Sequence, residues 1–235
     1  NWRTPEGTAR AEALQCLEHG QHDFLFLYSA GLDAQLHHEG SRGPGVRASL
    51  ATWSAWFDAA ATAAARGGRE AWLYLCSDHG MVDVTASVDV MGRLHRLPWR
   101  QGRDYLAFFD STMARFWWRT PAARDAVRAA LAAEPRGHWL TLAELANEGA
   151  DFADHRYGDD LFLLEPGALL VPSYMGREPV AAMHGYAPAH PDMAGVLASN
   201  RPLPADVTHL SQLRSFLERE LAAARASPAG GGEPA

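Results

Sequence analysis

Apolar residues fall along this chain in short unbroken runs and in helical stripes. Residues 23–29 (Asp-Phe-Leu-Phe-Leu-Tyr-Ser) and 71–76 (Ala-Trp-Leu-Tyr-Leu-Cys) are continuous runs. A run of that length without alternation predicts a strand buried on both faces, as in a parallel sheet. Between them lies a Gly-rich connection at 39–45 and a long Ala- and Trp-rich stretch at 46–66, which Gly67-Gly68 ends. Strand, crossover helix and strand make the βαβ unit of an α/β sheet. Upstream, residues 4–19 read as a helix, with Thr4 as N-cap and Pro5 at the first helical position. Ala13, Leu14 and Leu17 give it a partial stripe, and Gly20 stops it.

The pattern changes between about 82 and 180. Strand candidates at 105–109, 114–118, 161–164 and 168–171 are interrupted by helical patterns at 121–133 and 141–147. The expectation is an α+β insertion or cap over 82–180, set into an α/β core formed by 1–81 and 181–225. A further strand is predicted at 193–198 and an amphipathic helix at 209–225. The tail 226–235 is rich in Pro, Gly, Ser and Ala and is expected to be disordered. The chain has no internal repeat.

Composition adds limits. Of 235 residues, 47% are hydrophobic and 21% charged, enough apolar material for a sizeable core. The formal net charge is −7, and the isoelectric point about 5.9. That is no nucleic-acid footprint. Cys16 and Cys76 are too few for a disulfide framework and are expected to be buried free thiols. No apolar run approaches the roughly 18 residues of a membrane span. No secretory leader is visible, so a cytoplasmic location is the expectation, with an extracytoplasmic one if a signal lies upstream of Asn1.

Three segments carry candidate chemistry. In Ser29-Ala-Gly-Leu-Asp33-Ala-Gln-Leu-His37, Asp33 follows a predicted strand, where open α/β sheets bind ligands. If the chain turns helically there, Asp33 and His37 share a face and can reach one ion. Carboxylate oxygen with imidazole nitrogen suits zinc and related divalent ions. The alternative is a surface turn with a helix cap. Ser77-Asp78-His79-Gly80-Met81 again follows a predicted strand, and a sharp turn at Gly80 can bring both side chains onto one ion; the alternative is a polar loop. In Met183-His184-Gly185-Tyr186, Gly185 allows close backbone approach to an ion or substrate, and His190 competes with His184 as a ligand.

Together these three segments resemble the type I phosphodiesterase / nucleotide pyrophosphatase family of the alkaline phosphatase superfamily, in residues, order and spacing. The Ser-Asp-His-Gly-Met block is the most specific of them. The resemblance implies an alkaline-phosphatase-like α/β fold with a mainly parallel central sheet flanked by helices. It implies two divalent ions, zinc above all, with Asp33, His37 and His184 on one and Asp78 and His79 on the other. It implies hydrolysis of small-molecule phosphate esters or nucleotides. Two ions about 4 Å apart activate an oxygen nucleophile, stabilise the leaving oxygen and neutralise the phosphoryl oxygens. The family also needs an Asp at the end of its first strand and a Thr or Ser nucleophile at a helix start. Neither is assigned in this sequence, so the chain is expected to be the C-terminal portion of a larger enzyme, inactive alone.

Other features have plainer readings. Ser111 or Thr112 as nucleophile and Arg115 as phosphate clamp compete with ordinary strand packing, which is preferred. Asp159 and Asp160 read as solvated turn acids. Glu39, Asp89, Asp151 and Asp154 carry no usable pattern. Two rivals stand beside the phosphate-ester reading. One is a phosphonate or sulfate-ester hydrolase of the same superfamily; the other is a non-catalytic metal-binding domain.

Overall fold

The computed structural model of the chain describes residues 4–20 and 22–226, which divide into two compact units. The first comprises the described residues of Asn1–Leu32, Arg47–Asp78 and Gly195–Ala235. Its first helix, Glu6–His19, ends at Gly20 in the left-handed conformation (φ 64°), as the sequence predicts. Its N-cap position falls on Pro5, which has no side-chain donor or acceptor, so Thr4 is not the cap. Arg10 stacks its guanidinium 5.3 Å from the Trp53 ring, and the Trp56 indole N–H donates to the Arg10 carbonyl at 3.1 Å. Both tryptophans lie on the helix Pro44–Arg66, whose Ala60, Ala63 and Ala64 are buried.

The strand Tyr74–Cys76 pairs antiparallel with Leu197–Ser199 in this unit. Tyr74 meets Phe216 of the helix Leu213–Ala226 edge to face at 5.4 Å, and Phe216 is fully enclosed. Burial and the Glu220 carboxylate that accepts its hydroxyl push the Tyr74 phenol up to about 12. Residues 23–28 form no ladder among the described residues, and Phe24, Leu25, Phe26 and Tyr28 are exposed. The buried strand expected at 23–29 is therefore not formed: an apolar run supplies one side of a ladder and needs a partner to become a strand. The thiols differ from expectation as well. Both are free, but Cys16 is half-buried and Cys76 exposed.

The second unit comprises Asp33–Val46 and His79–Ala194. Its core is a four-stranded antiparallel sheet in the order Tyr105–Phe109, Met113–Trp118, Asp160–Leu164, Gly137–Trp139. Alternation sets its faces: Tyr105, Ala107 and Phe109 point inward with Ala114 and Phe116. The helix Pro121–Ala132 covers that face through Ala123, Val127 and Leu131, spaced by four. Thr120 caps it by accepting the Ala123 N–H, and Thr141 with Glu144 forms a reciprocal capping box on Leu142–Asn147. The thiol-free aromatic cluster Phe116, Trp118, Trp139 and Phe162 closes the core.

Two short ladders extend this unit. Ala86–Val88 runs parallel to Ala168–Leu170, and Val82–Asp83 runs antiparallel to Ala182–Met183. The chain is thus α/β, but its parallel component among the described residues is that one three-residue pair and an isolated bridge between Gln101 and Tyr105. The predicted strand at 193–198 is replaced by a short 3₁₀ turn, Pro191–Met193, followed by the strand Leu197–Ser199. The tail expected at 226–235 lies outside the described residues except for Ala226, the last residue of the final helix.

Candidate metal centre

The helix Gly31–Glu39 fulfils the condition attached to Asp33 and His37. Four residues of helix bring the His37 Nε2 to 3.4 Å from the Asp33 Oδ1. From the far end of the second unit, His184 brings its Nε2 to 3.8 Å from the same oxygen. One donor atom from each of the three lies within 4.8 Å of the others, and these are the one such convergent group among the described residues. The Asp33 Oδ1 is buried and has no hydrogen-bond donor. A buried carboxylate oxygen costs free energy unless a donor or cation meets it. The donor set, two imidazole nitrogens and one carboxylate oxygen, is one that a divalent cation such as zinc accepts.

Each candidate ligand is held from behind. The His37 Nδ1 lies 2.7 Å from the Ala182 carbonyl oxygen, and the Ala181 N–H donates to the His37 carbonyl at 2.8 Å. A carbonyl can only accept, so Nδ1 carries the hydrogen and Nε2 of the neutral ring presents its lone pair to the centre. His184 follows directly on the strand Ala182–Met183. Gly185 then takes φ +86°, a conformation that L side chains rarely adopt, and a Cβ there would lie 3.0 Å from the Thr112 Oγ1. That hydroxyl donates to the Gly185 carbonyl at 2.7 Å. Tyr186 is buried and donates to the Ala168 carbonyl at 2.9 Å. Burial pushes its phenol up to about 12, so it remains a neutral donor.

His79 stacks on His184, ring centroids 3.7 Å apart and planes 19° off parallel. Its Nδ1 lies 2.9 Å from the Gly80 carbonyl oxygen. The structure therefore brings four of the five candidate residues to one place, three as a convergent donor group and His79 against its edge. Asp78 is exposed, just past the strand Tyr74–Cys76, and is the last residue of its segment of the first unit. Gly80 is required for packing: its N–H donates to the Met193 carbonyl, and a Cβ would overlap the Asp192 carbonyl oxygen.

His190 is no competitor in this geometry. Its Nδ1 accepts the Asp192 N–H and caps the turn Pro191–Met193. Ser111 and Thr112 are buried, and Thr112 acts on the His184 loop, a role for which the sequence offers no signal. Arg115 lies between the rings of Phe108 and Tyr157, at 4.7 and 4.8 Å. Asp160 is not a solvated turn acid. It opens a core strand, meets Arg124 and Arg128, and accepts the Trp118 indole N–H at 2.7 Å.

Solved structures share this architecture. Murine ectonucleotide pyrophosphatase / phosphodiesterase 5 matches with a TM-score of 0.71 at 17% identity, over 94% of this chain and 60% of that one. The human protein of the same name matches with a TM-score of 0.68 at 16% identity, over 86% and 54%. An inactive variant of the murine protein in complex with AMP matches with a TM-score of 0.65 at 17% identity, over 85% and 53%. The likeness shows the alkaline-phosphatase-like α/β fold, and the chain spans about half to three fifths of the length of those proteins. No curated protein matches it in sequence. No described helix is long and apolar enough to cross a membrane. The sequence profile of the type I phosphodiesterase / nucleotide pyrophosphatase family matches residues 1–187, which include all five candidate ligands and the whole His184-Gly185-Tyr186 motif; the chain belongs to that family.

Proposed function

We propose that this chain carries metal-holding residues of a hydrolase acting on phosphate esters, with nucleotides or related small phosphodiesters as substrates. Asp33, His37 and His184 hold one divalent ion, and Asp78 and His79 serve a second. The observation that carries the reading is the convergence of the Asp33, His37 and His184 donor atoms on one point, with the Asp33 Oδ1 buried and undonated. When bound, such ions supply Lewis-acid charge neutralisation for phosphoryl oxygens. The chain's own residues supply orientation. The Ala182 carbonyl fixes the His37 ring, Thr112 and Tyr186 fix the loop of His184, and the His79 ring packs on the His184 face. The segment 82–180 shapes the substrate side of the site in this reading. No residue here is assigned as nucleophile.

The test uses metal retention and product binding. After dialysis against zinc and then buffer, the chain retains zinc by elemental analysis, and Asp33→Ala and His184→Ala lose it. AMP, a nucleoside monophosphate of the product class, then binds the zinc-loaded chain more tightly than the metal-free one. Zinc retained without any gain in AMP affinity favours the non-catalytic metal-binding domain. Preference for a sulfate over AMP favours the sulfate-ester alternative. A wild-type chain that retains no zinc overturns the ligand assignment.

A further inference from the structure

The second unit contains a cavity of about 300 Å³ that shares no residue with the metal centre. Three arginines line it: Arg93 from the helix Val90–His95, Arg96 at its C-cap, and Arg136 just before the strand Gly137–Trp139. Ser87, Asp89 and Glu134 complete its polar wall. Three guanidinium groups and two carboxylates leave it locally positive, in a chain whose net charge is −7. Composition therefore does not explain this concentration of cations.

The partners of each group sharpen the point. Arg93 is committed, with its Nη2 2.6 Å from the Glu134 Oε2 and its Nη1 donating to the Ala130 carbonyl. Glu134 is buried and spends its other oxygen on the Arg136 backbone N–H at 3.2 Å. Asp89 accepts the Gly92 N–H at 2.6 Å as the cap of the short helix. Both carboxylates are thus engaged. The Arg96 and Arg136 guanidinium groups, both on exposed residues, have no ion-pair or hydrogen-bond partner among the described residues. Guanidinium forks match the oxygens of a phosphate bidentately and stay charged at any working pH.

We propose that this cavity is a binding site for a phosphate dianion, inorganic or carried on a small phosphomonoester, with Arg96 and Arg136 as its principal donors, Ser87 as a neutral donor and Arg93 held in place by Glu134. The volume exceeds that of a bare phosphate, so the ester form fits as well. The site is independent of the metal centre and of the activity proposed for it.

Isothermal titration of the chelator-treated, metal-free chain with inorganic phosphate, and separately with glycerol 2-phosphate, tests this at low ionic strength. Saturable binding at one site is expected for at least one of the two, weakening as salt is raised. Charge-assisted hydrogen bonds contribute enough that Arg96→Gln or Arg136→Gln should each weaken it by about tenfold. Arg214→Gln, an exposed charge loss elsewhere, should leave it unchanged. Tighter binding of the ester identifies the phosphomonoester as ligand, and tighter binding of phosphate identifies the free anion. Absence of saturable binding for both, or equal weakening by Arg214→Gln, overturns the proposal. Because zinc is absent throughout, failure here is separate from failure of the metal reading.

Discussion

The Thr112 hydroxyl donates to the Gly185 carbonyl across 73 residues of sequence, at 2.7 Å. It thereby fixes the peptide that follows His184. Thr112 is itself almost fully enclosed, so the bond is sheltered from water. Partners that orient a ligand residue commonly matter by 10–100-fold in metal affinity. Thr112→Val should therefore weaken zinc binding by about tenfold or more in a competitive chelator titration, and Thr112→Ser should largely restore it. Equal affinity in the valine variant would show that the His184 loop holds itself.

Zinc should stabilise the folded chain through its differential affinity for the assembled Asp33, His37 and His184 group. At free zinc one hundred times the dissociation constant, the gain is about 2.7 kcal/mol. For a chain of this size that corresponds to about 5–11 °C in thermal midpoint. Asp33→Asn keeps the shape but removes the charge that draws the cation, and the shift should disappear. A zinc-induced shift that persists in Asp33→Asn counts against the assignment.

Gly80 lies where a neighbouring backbone passes. A Cβ would overlap the Asp192 carbonyl oxygen and sit 2.9 Å from that of Ala194. Neither oxygen belongs to a flexible side chain, so the backbone itself must shift. Gly80→Ala should destabilise by about 1–3 kcal/mol, the range for overpacking. Urea unfolding would show this as a lower midpoint with an unchanged slope.

These residues show where sequence reading succeeds and where it stops. Asp33 and His37 were legible because helical spacing is local: four residues suffice to put both on one face. The strands around residues 105–118 were legible from equally local runs. The run at 23–29 was misread because apolar character states a preference for burial without supplying the partner that a ladder needs. Gly185 was noticed for its conformational freedom, yet its neighbour is Thr112, 73 positions away. No local pattern announces such a contact. Asp160 fails in the same way: a carboxylate beside a turn looks solvated until Arg124, Arg128 and Trp118 are folded around it.

Asp160 is only 12% exposed at its side chain and faces two arginines. Asp160→Asn would leave both cations without their anion, while the amide oxygen could still accept from the Trp118 indole. A loss of about 1–3 kcal/mol is expected, as for a charged hydrogen-bond partner removed from a largely buried site. Asp160→Ala should cost more, since the indole N–H is then orphaned too. Chemical denaturation of the two variants in parallel orders these contributions, and equal stabilities would remove the indole bond from the account.

Tyr186 gives the fold an alkaline limit near the His184 loop. Burial raises its phenol from 10.0 to about 12. The unfolded chain therefore releases that proton at lower pH than the folded one. The stabilising contribution is complete below pH 10 and is lost as pH rises from about 10 to about 12, on the order of 2 kcal/mol in all. Tyr186→Phe has no proton to release, so its stability should fall less over that interval than the wild type's, although it starts lower at neutral pH by about 1 kcal/mol for the lost bond to the Ala168 carbonyl. The other raised phenols, Tyr74 and Tyr105, remain in both proteins and cancel in the difference. Unfolding free energies at pH 9 and pH 11 for the two proteins decide it: parallel losses would show that Tyr186 ionises as readily folded as unfolded.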